Sequence, residues 1–584
     1  MSIVLAPGDV LFECASVIDG TGATPRFTAS VLVRAGKIHK ICKEPLPPAQ
    51  AHNEARIVDC KNASWVLSPG FIDMHAHSDL SLLHTPEHLA KITQGVTTEV
   101  IGQDGISYAP VDDVCLSHIR SQIAGWNGNP QDDGFWSRWR TVKEYLNVLD
   151  NERIATNAAF LVPQGNLRML VLGYDPRAAT KEEIQKMKEI LVRSLEEGAV
   201  GMSSGLTYVP GMYASDSELG ELLRILVPYG AYYCPHHRSY GKGALQAYRE
   251  MIELARDTGV RLHLTHATLN FEENKGKAEE FITMVDQAIT DGVDISLDTY
   301  PYLPGSTTLA ALLPSWAAAG GGAACLERLH DPETLAQIRH DVEIVGTDGC
   351  HGCTLNWKTI EISGVTNQSL VSRYLGKAIG DVAEQENKDP FDLLVELLIE
   401  DNLATTILQH EGHEENVRRI MRHPKHCAGS DGILTSMKPH PRGWGTMPRY
   451  LGHYARDLEK GMERDLYSAT TSLSDQPTSV LAERIFDGGL EDAVSHLTGR
   501  AAAVIGLKDR GTVKEGYNAD LVLFDPESIL DQATFSKPQV PAKGIRFVMV
   551  NGHIALDEGK PTGMRAGKTL RLTPKDSKED YKIV

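Results

Sequence analysis

The feature that most constrains this chain is a phrase that recurs through its middle: an amphipathic helix, a glycine, then a short apolar strand. Residues 180–203 give the clearest copy. Thr180 and Glu183 form a capping box, and Ile184, Met187, Leu191 and Leu195 fall on one helical stripe. Gly198 stops the helix and Ala199-Val-Gly-Met-Ser203 follows as a strand. Residues 245–265, 281–297 and 86–101 repeat the pattern.

Helices alternating with strands imply a parallel sheet with helical crossovers. Eight strands are expected, near 69–74, 96–102, 157–163, 199–204, 230–235, 260–265, 293–298 and 426–430. Eight such strands predict an α/β fold of the closed (β/α)8 TIM-like type. The interval 299–425 is too long for one crossover and must hold insertions.

The two ends read differently. Asp19-Gly-Thr-Gly22 followed by Val31–Ile38, and Asn551-Gly552 between two apolar runs, are hairpin signals. Residues 1–66 and 509–584 are therefore expected to pair into one small β-sandwich beside a barrel formed by 67–508. The 42% apolar content fits an ordinary globular protein, and the net charge of −19 argues against nucleic acid or anionic membranes as main partners. No apolar run is long enough to span a bilayer, and no basic-then-apolar leader stands at the N-terminus. Nine scattered cysteines do not suggest a disulfide framework, so a cytoplasmic protein is expected. Monomer and homo-oligomer both remain open.

Barrel active sites lie at the C-terminal ends of the strands. His75 and His77 follow the first strand, and their spacing of two on an extended segment turns both to one side. Asp104 follows the second strand, His236 the fifth, His266 the sixth and Asp431 the eighth. Four histidines and two aspartates at one mouth can hold one or two metal ions. The pair His410/His413 lacks the i, i+4 spacing of a helical zinc site. Cys350-His-Gly-Cys353 has no second cysteine pair nearby and reads as a loop with free thiols. His237 points away from His236 on a strand and is left as a contact to substrate or to a metal-binding side chain.

These residues carry a resemblance to the amidohydrolase superfamily, and within it to the N-acyl-D-amino-acid deacylases (D-aminoacylases). The matching stretches are Pro69–His77, Gly201–Tyr208, His236–Arg238, Leu264–His266, Asp298–Tyr302, Gly429–Gly432, His440–Arg449, Gly516–Asp525 and Val550–Gly552. The resemblance implies zinc, held most tightly at the position of Asp104 with His236 and His266, and a second, weaker site at His75, His77 and Asp431. It implies substrate contacts from Tyr208, Arg238, Tyr300, Ser306 and Arg442, with the planar fork of Arg442 gripping a carboxylate.

Two positions depart from the family. Asp104 stands where the family has cysteine. A carboxylate is a harder ligand, which brings Mn2+ or Co2+ into range beside Zn2+. Thr268 stands where the family has a lysine that helps to hold the substrate carboxylate. The stretch 457–485 reads as an insertion that covers the site or forms an interface.

The expected reaction is hydrolysis of a small-molecule amide, of the N-acyl-D-amino-acid kind by resemblance. Asp431 is the expected catalytic base and proton carrier, and Tyr300 or a metal ion would stabilise the oxyanion. Two alternatives stand beside it. One is cleavage of cyclic amides, as in hydantoinases and dihydroorotases. Those carry a carboxylated lysine at a strand end, whereas Ser203 and Ser204 end the fourth strand here. The other is a non-catalytic scaffold that would have lost its metal ligands.

Overall fold

A computed structural model describes residues 4–44, 50–51, 54–61, 64–460, 462, 485–574 and 581–583. Its centre is a barrel of eight parallel strands: β1 (Phe71–Asp73), β2 (Val96–Ile101), β3 (Asn157–Pro163), β4 (Gly201–Gly205), β5 (Tyr232–His236), β6 (Arg261–Leu264), β7 (Ile295–Thr299) and β8 (His426–Ala428). They hydrogen-bond in chain order from β1 to β8. A parallel bridge between Ala76 and Gly432, and a bond from Met74 N to Ala428 O (3.1 Å), join β8 back to β1. All eight expected strands are present.

The crossover helices form where the stripes place them. The helix Lys181–Glu196 has both halves of its Thr180/Glu183 capping box and buries Met187, Leu191 and Leu195. Each of those side chains contributes about 1.5–3 kcal/mol of burial. Ala244–Thr258 buries Tyr248, Met251, Ile252 and Ala255, and Gly259 ends it with φ +75°.

The interval between β7 and β8 holds a subdomain with its own core, in which Leu312, Leu329, Ile362, Leu394 and Ile407 are buried. Its sheet is antiparallel, built from Gly305–Thr308, Thr406–Gln409 and Ile360–Gly364. The two chain ends also pair. Leu521–Phe524 runs antiparallel to Val66–Pro69 within one nine-stranded sheet. Phe12 and Phe547 lie on strands three places apart, which would put them about 14 Å apart in a flat sheet. Their rings are 6.3 Å apart, so the sheet folds over its own core. Val66–Pro69 leads through Gly70 directly into the N-terminal end of β1, which joins this β domain to the barrel.

Most of 457–485 lies outside the described residues, so the expected insertion there is not placed. Among the described residues, no helix is long and apolar enough to cross a membrane.

Candidate metal centre and active site

The six expected ligands converge. His75, His77, Asp104 and Asp431 form one group, and Asp104, His236 and His266 form another, with the ligand atoms of each group within 4.8 Å of one another. Asp104 belongs to both. Its Oδ1 lies 3.5 Å from His75 Nε2 and 3.4 Å from His266 Nε2; its Oδ2 lies 3.4 Å from His77 Nε2 and 3.6 Å from His236 Nδ1. Each carboxylate oxygen thus faces one histidine from each group, which places Asp104 between the two. The sequence placed Asp104 with His236 and His266, and a carboxylate there is able to ligate or to bridge.

The spacings fit metal binding. Tetrahedral zinc with bonds of 2.0–2.1 Å separates its ligand atoms by about 3.3–3.4 Å. His77 Nε2 to Asp431 Oδ1 is 3.1 Å, His75 Nε2 to His77 Nε2 is 3.3 Å, and His236 Nδ1 to His266 Nε2 is 3.2 Å. The buried Asp104 Oδ1 has no directed hydrogen bond from the protein. Burial opposes the charge on His77, yet the Asp104 and Asp431 carboxylates raise its pKa to about 10. Burial also opposes the charge on Asp104, but the His75 and His266 imidazoles hold its carboxyl well below the usual range. The two carboxylates demand positive charge, and a divalent cation supplies it.

Three of the six candidate ligands, Asp104 (φ 55°), His266 (φ 30°) and Asp431 (φ 51°), have left-handed backbone. Such conformations cost of order 1–3 kcal/mol each and persist where the surroundings enforce them. Here they are enforced. Gly205 packs so tightly on the Asp104 loop that a Cβ on it would meet Asp104 O at 2.0 Å. Asp298 Oδ1 accepts from His266 N (2.9 Å), and its Oδ2 lies 2.9 Å from His263 Nε2. Asp73 Oδ1 accepts from both His75 N (3.2 Å) and Ser430 N (2.8 Å). The buried Lys91 donates to Asp73 Oδ2 (2.5 Å) and Ser430 Oγ (2.9 Å). Thr207 Oγ1 lies 2.7 Å from His236 Nε2, fixing the ring so that Nδ1 faces Asp104.

The substrate-contact candidates divide. Tyr208, Tyr300 and Ser306 line the cavity of about 70 Å³ over the metal ligands. Tyr208 packs on His236 (4.8 Å between rings) and its hydroxyl reaches Thr307 Oγ1 (3.1 Å). Arg442 is fully buried, stacks on Tyr300 (4.4 Å) and has Nη1 2.9 Å from Asp431 Oδ2. It lies behind Tyr300 and Asp431 and is not itself among the residues that line the cavity. Arg238 does not join them: it donates to Met212 O and Ala214 O and pairs with Asp216, outside the cavity. His237 is sandwiched between Tyr240 and Tyr248, 4.0 Å from each ring. His413 bonds Phe271 O and His410 pairs with Glu361, away from the metal ligands.

Trp126 and His351 complete the cavity and were missed by the sequence reading. Trp126 stands 5.1 Å from the His77 ring. His351 comes from the subdomain between β7 and β8, inside the segment read as a thiol loop. Ser239 Oγ and Lys242 N donate to its carbonyl (3.0 and 3.1 Å), which fixes the loop over the mouth. Burial, with His236 and His266 nearby, lowers its pKa to about 3, so it is a neutral imidazole. Thr207 stood inside a quoted stretch, but only the fold gives it a role.

The amidohydrolase family model matches residues 56–556, and the chain belongs to that family. The D-aminoacylase of Alcaligenes xylosoxydans xylosoxydans is 32% identical over 97% of this chain and 98% of its own length. The N-acyl-D-glutamate deacylase of the same organism is 30% identical over 96% of each chain. The crystal structure of N-acyl-D-glutamate deacylase from Bordetella bronchiseptica, complexed with zinc and a phosphonate mimic of the tetrahedral intermediate, aligns with a TM-score of 0.77 at 29% identity. That alignment covers 97% of this chain and 100% of the other.

Proposed function

We infer that this protein is a zinc-dependent N-acyl-D-amino-acid deacylase. The observation that carries the reading is the cluster of four histidines and two aspartates at the barrel mouth, with the buried Arg442 guanidinium behind Tyr300 and 2.9 Å from Asp431 Oδ2. A free α-carboxylate on the substrate is the natural partner for such a fork. The relatives at 32% and 30% identity deacylate N-acylated D-amino acids, and the zinc and phosphonate of the Bordetella enzyme agree with the donor set here.

Asp104, His236 and His266 would hold one ion, and His75, His77, Asp104 and Asp431 a second. Bound zinc lowers the pKa of water to about 7 and polarises the scissile carbonyl. Arg442 holds the carboxylate and so fixes the amide over the cluster. The Asp431 carboxylate takes a proton from the attacking water and passes it to the leaving nitrogen. Tyr300, whose hydroxyl burial holds protonated with a pKa near 12 against the pull of Arg442, donates to the developing oxyanion. The roof of Trp126 and Tyr208 keeps bulk water from the reacting carbon.

Cyclic amides are the less favoured substrates. Ser203 at the end of β4 bonds Gly102 O, and no lysine lines the cavity. Nine free cysteines suit a reducing cytoplasm. The test is a panel of N-acetyl-D-amino acids, N-acetyl-L-amino acids and cyclic amides, assayed with zinc, manganese and cobalt. Release of free D-amino acid is expected; cleavage confined to cyclic amides would overturn the reading.

A further inference from the structure

A second cavity, of about 400 Å³, adjoins the catalytic one and shares Trp126, Thr207, Tyr208 and Ala311 with it. It runs between the barrel loops and the subdomain that follows β7, the kind of interface where ligand sites concentrate. Its far walls include Ile123, Tyr174, Leu313, Cys325 and Leu403, and no Asp, Glu, Lys or Arg lines it. Two of its polar side chains are already engaged: Tyr174 donates to Gln122 Oε1, and Gln122 donates to Val209 O.

We propose that this cavity is an acyl-chain site, and that the substrates are N-acyl-D-amino acids whose acyl group is a long unbranched hydrocarbon. The inference rests on the deacylase reading and deepens it. An apolar cavity of about 150 Å³ holds one benzene ring. The volume here is more than twice that, beyond the needs of an ordinary amino-acid side chain. At about 30 Å³ for each water-sized group, it matches a chain of roughly a dozen atoms. The entrance lies beside the metal ligands: Trp126 packs on His77 and Tyr208 on His236. A substituent on the carbonyl carbon reaches that entrance directly, while Arg442 holds the carboxylate end.

The experiment is a matrix of substrates on the zinc-loaded enzyme. One arm lengthens the acyl group from acetyl to dodecanoyl on D-alanine. The other lengthens the side chain, from D-alanine to D-norleucine and D-tryptophan, with acetyl fixed. The expected result is a rise in kcat/KM of about fourfold per methylene along the acyl arm, until the cavity is full. Ala318→Phe and Ser121→Trp, which fill the cavity from opposite walls, are expected to abolish that rise and leave N-acetyl turnover unchanged. A gain along the side-chain arm only, or no gain in either arm, overturns the proposal. Failure to cleave any N-acyl-amino acid would sink the deacylase reading instead. Calorimetric binding of N-decanoyl-D-alanine, lost in Ala318→Phe, would still support the chain site in that case, and absent binding would overturn it.

Discussion

The two halves of the metal centre are fastened by different physics. His75, His77 and Asp431 come from β1 and β8, where the barrel closes, and a buried ion pair holds them: Lys91 grips Asp73, which grips the backbone of His75 and Ser430. His236 and His266 come from adjacent strands in the continuous sheet. A threonine hydroxyl orients one and the Asp298 carboxylate anchors the other. The first half depends on charge compensation in a dry interior, the second on local hydrogen bonds. Among the described residues, Asp104 is the only candidate ligand common to both.

The largest effect is expected at that shared residue. Asp104→Ala removes a ligand from each half, and metal analysis should find less than one ion per chain with turnover at background. Retention of two ions would dismiss the bridge. Asp431→Asn comes next: turnover is expected to fall by about 10²–10⁴, the usual worth of a general base, while the Asp104/His236/His266 half keeps its ion. Near-normal turnover would remove Asp431 from that role.

Lys91→Met tests the charged clamp. Breaking a buried pair by removing one partner costs about 3–5 kcal/mol, and the weakening should fall on the His75/His77/Asp431 half. Denaturant unfolding and metal titration together read it; a loss shared equally by both halves would contradict the division. Thr207→Val is the counterpart, with affinity in the His236/His266 half expected to drop about 10- to 100-fold, as for other partners of metal-bound histidines.

The smallest effect concerns acid. Glu99 lies under the first half, 2.6 Å from His88 Nε2 and bonded by Thr156 Oγ1 (2.6 Å). Burial would raise its pKa, but His88 and its hydrogen bonds lower it to about 2 from 4.5. Its stabilising contribution is full above pH 4.5 and is lost as pH falls through 2. Glu99→Gln should therefore flatten the stability profile over that window, as measured by urea unfolding.

The barrel and the His and Asp residues gathered at its mouth were legible because period and spacing are local. A stripe of Met187, Leu191 and Leu195 ending at Gly198 needs no tertiary information to read, nor does a histidine placed just past a strand. Arg238 misled because it stands two residues after the candidate ligand His236, yet the chain leaves β5 at that point and turns the guanidinium to backbone carbonyls. His351 was illegible because a residue from an inserted subdomain reaches the mouth through tertiary packing alone. The place of Asp104 between the two groups was only partly legible: the sequence allows a carboxylate to ligate or bridge, but does not say that each of its oxygens meets a different pair of rings.

The closure of the barrel between β1 and β8 also bears on the order of assembly. His236 and His266 are 30 residues apart, whereas His77 and Asp431 are separated by 354. Joining distant parts of a chain carries a larger loop-closure entropy, and topologies rich in such contacts fold slowly. The pocket for one ion can therefore take shape early, from neighbouring strands, while the other waits until the first and last strands meet. In a nascent chain that takes up two ions, the second would then report that the barrel has shut.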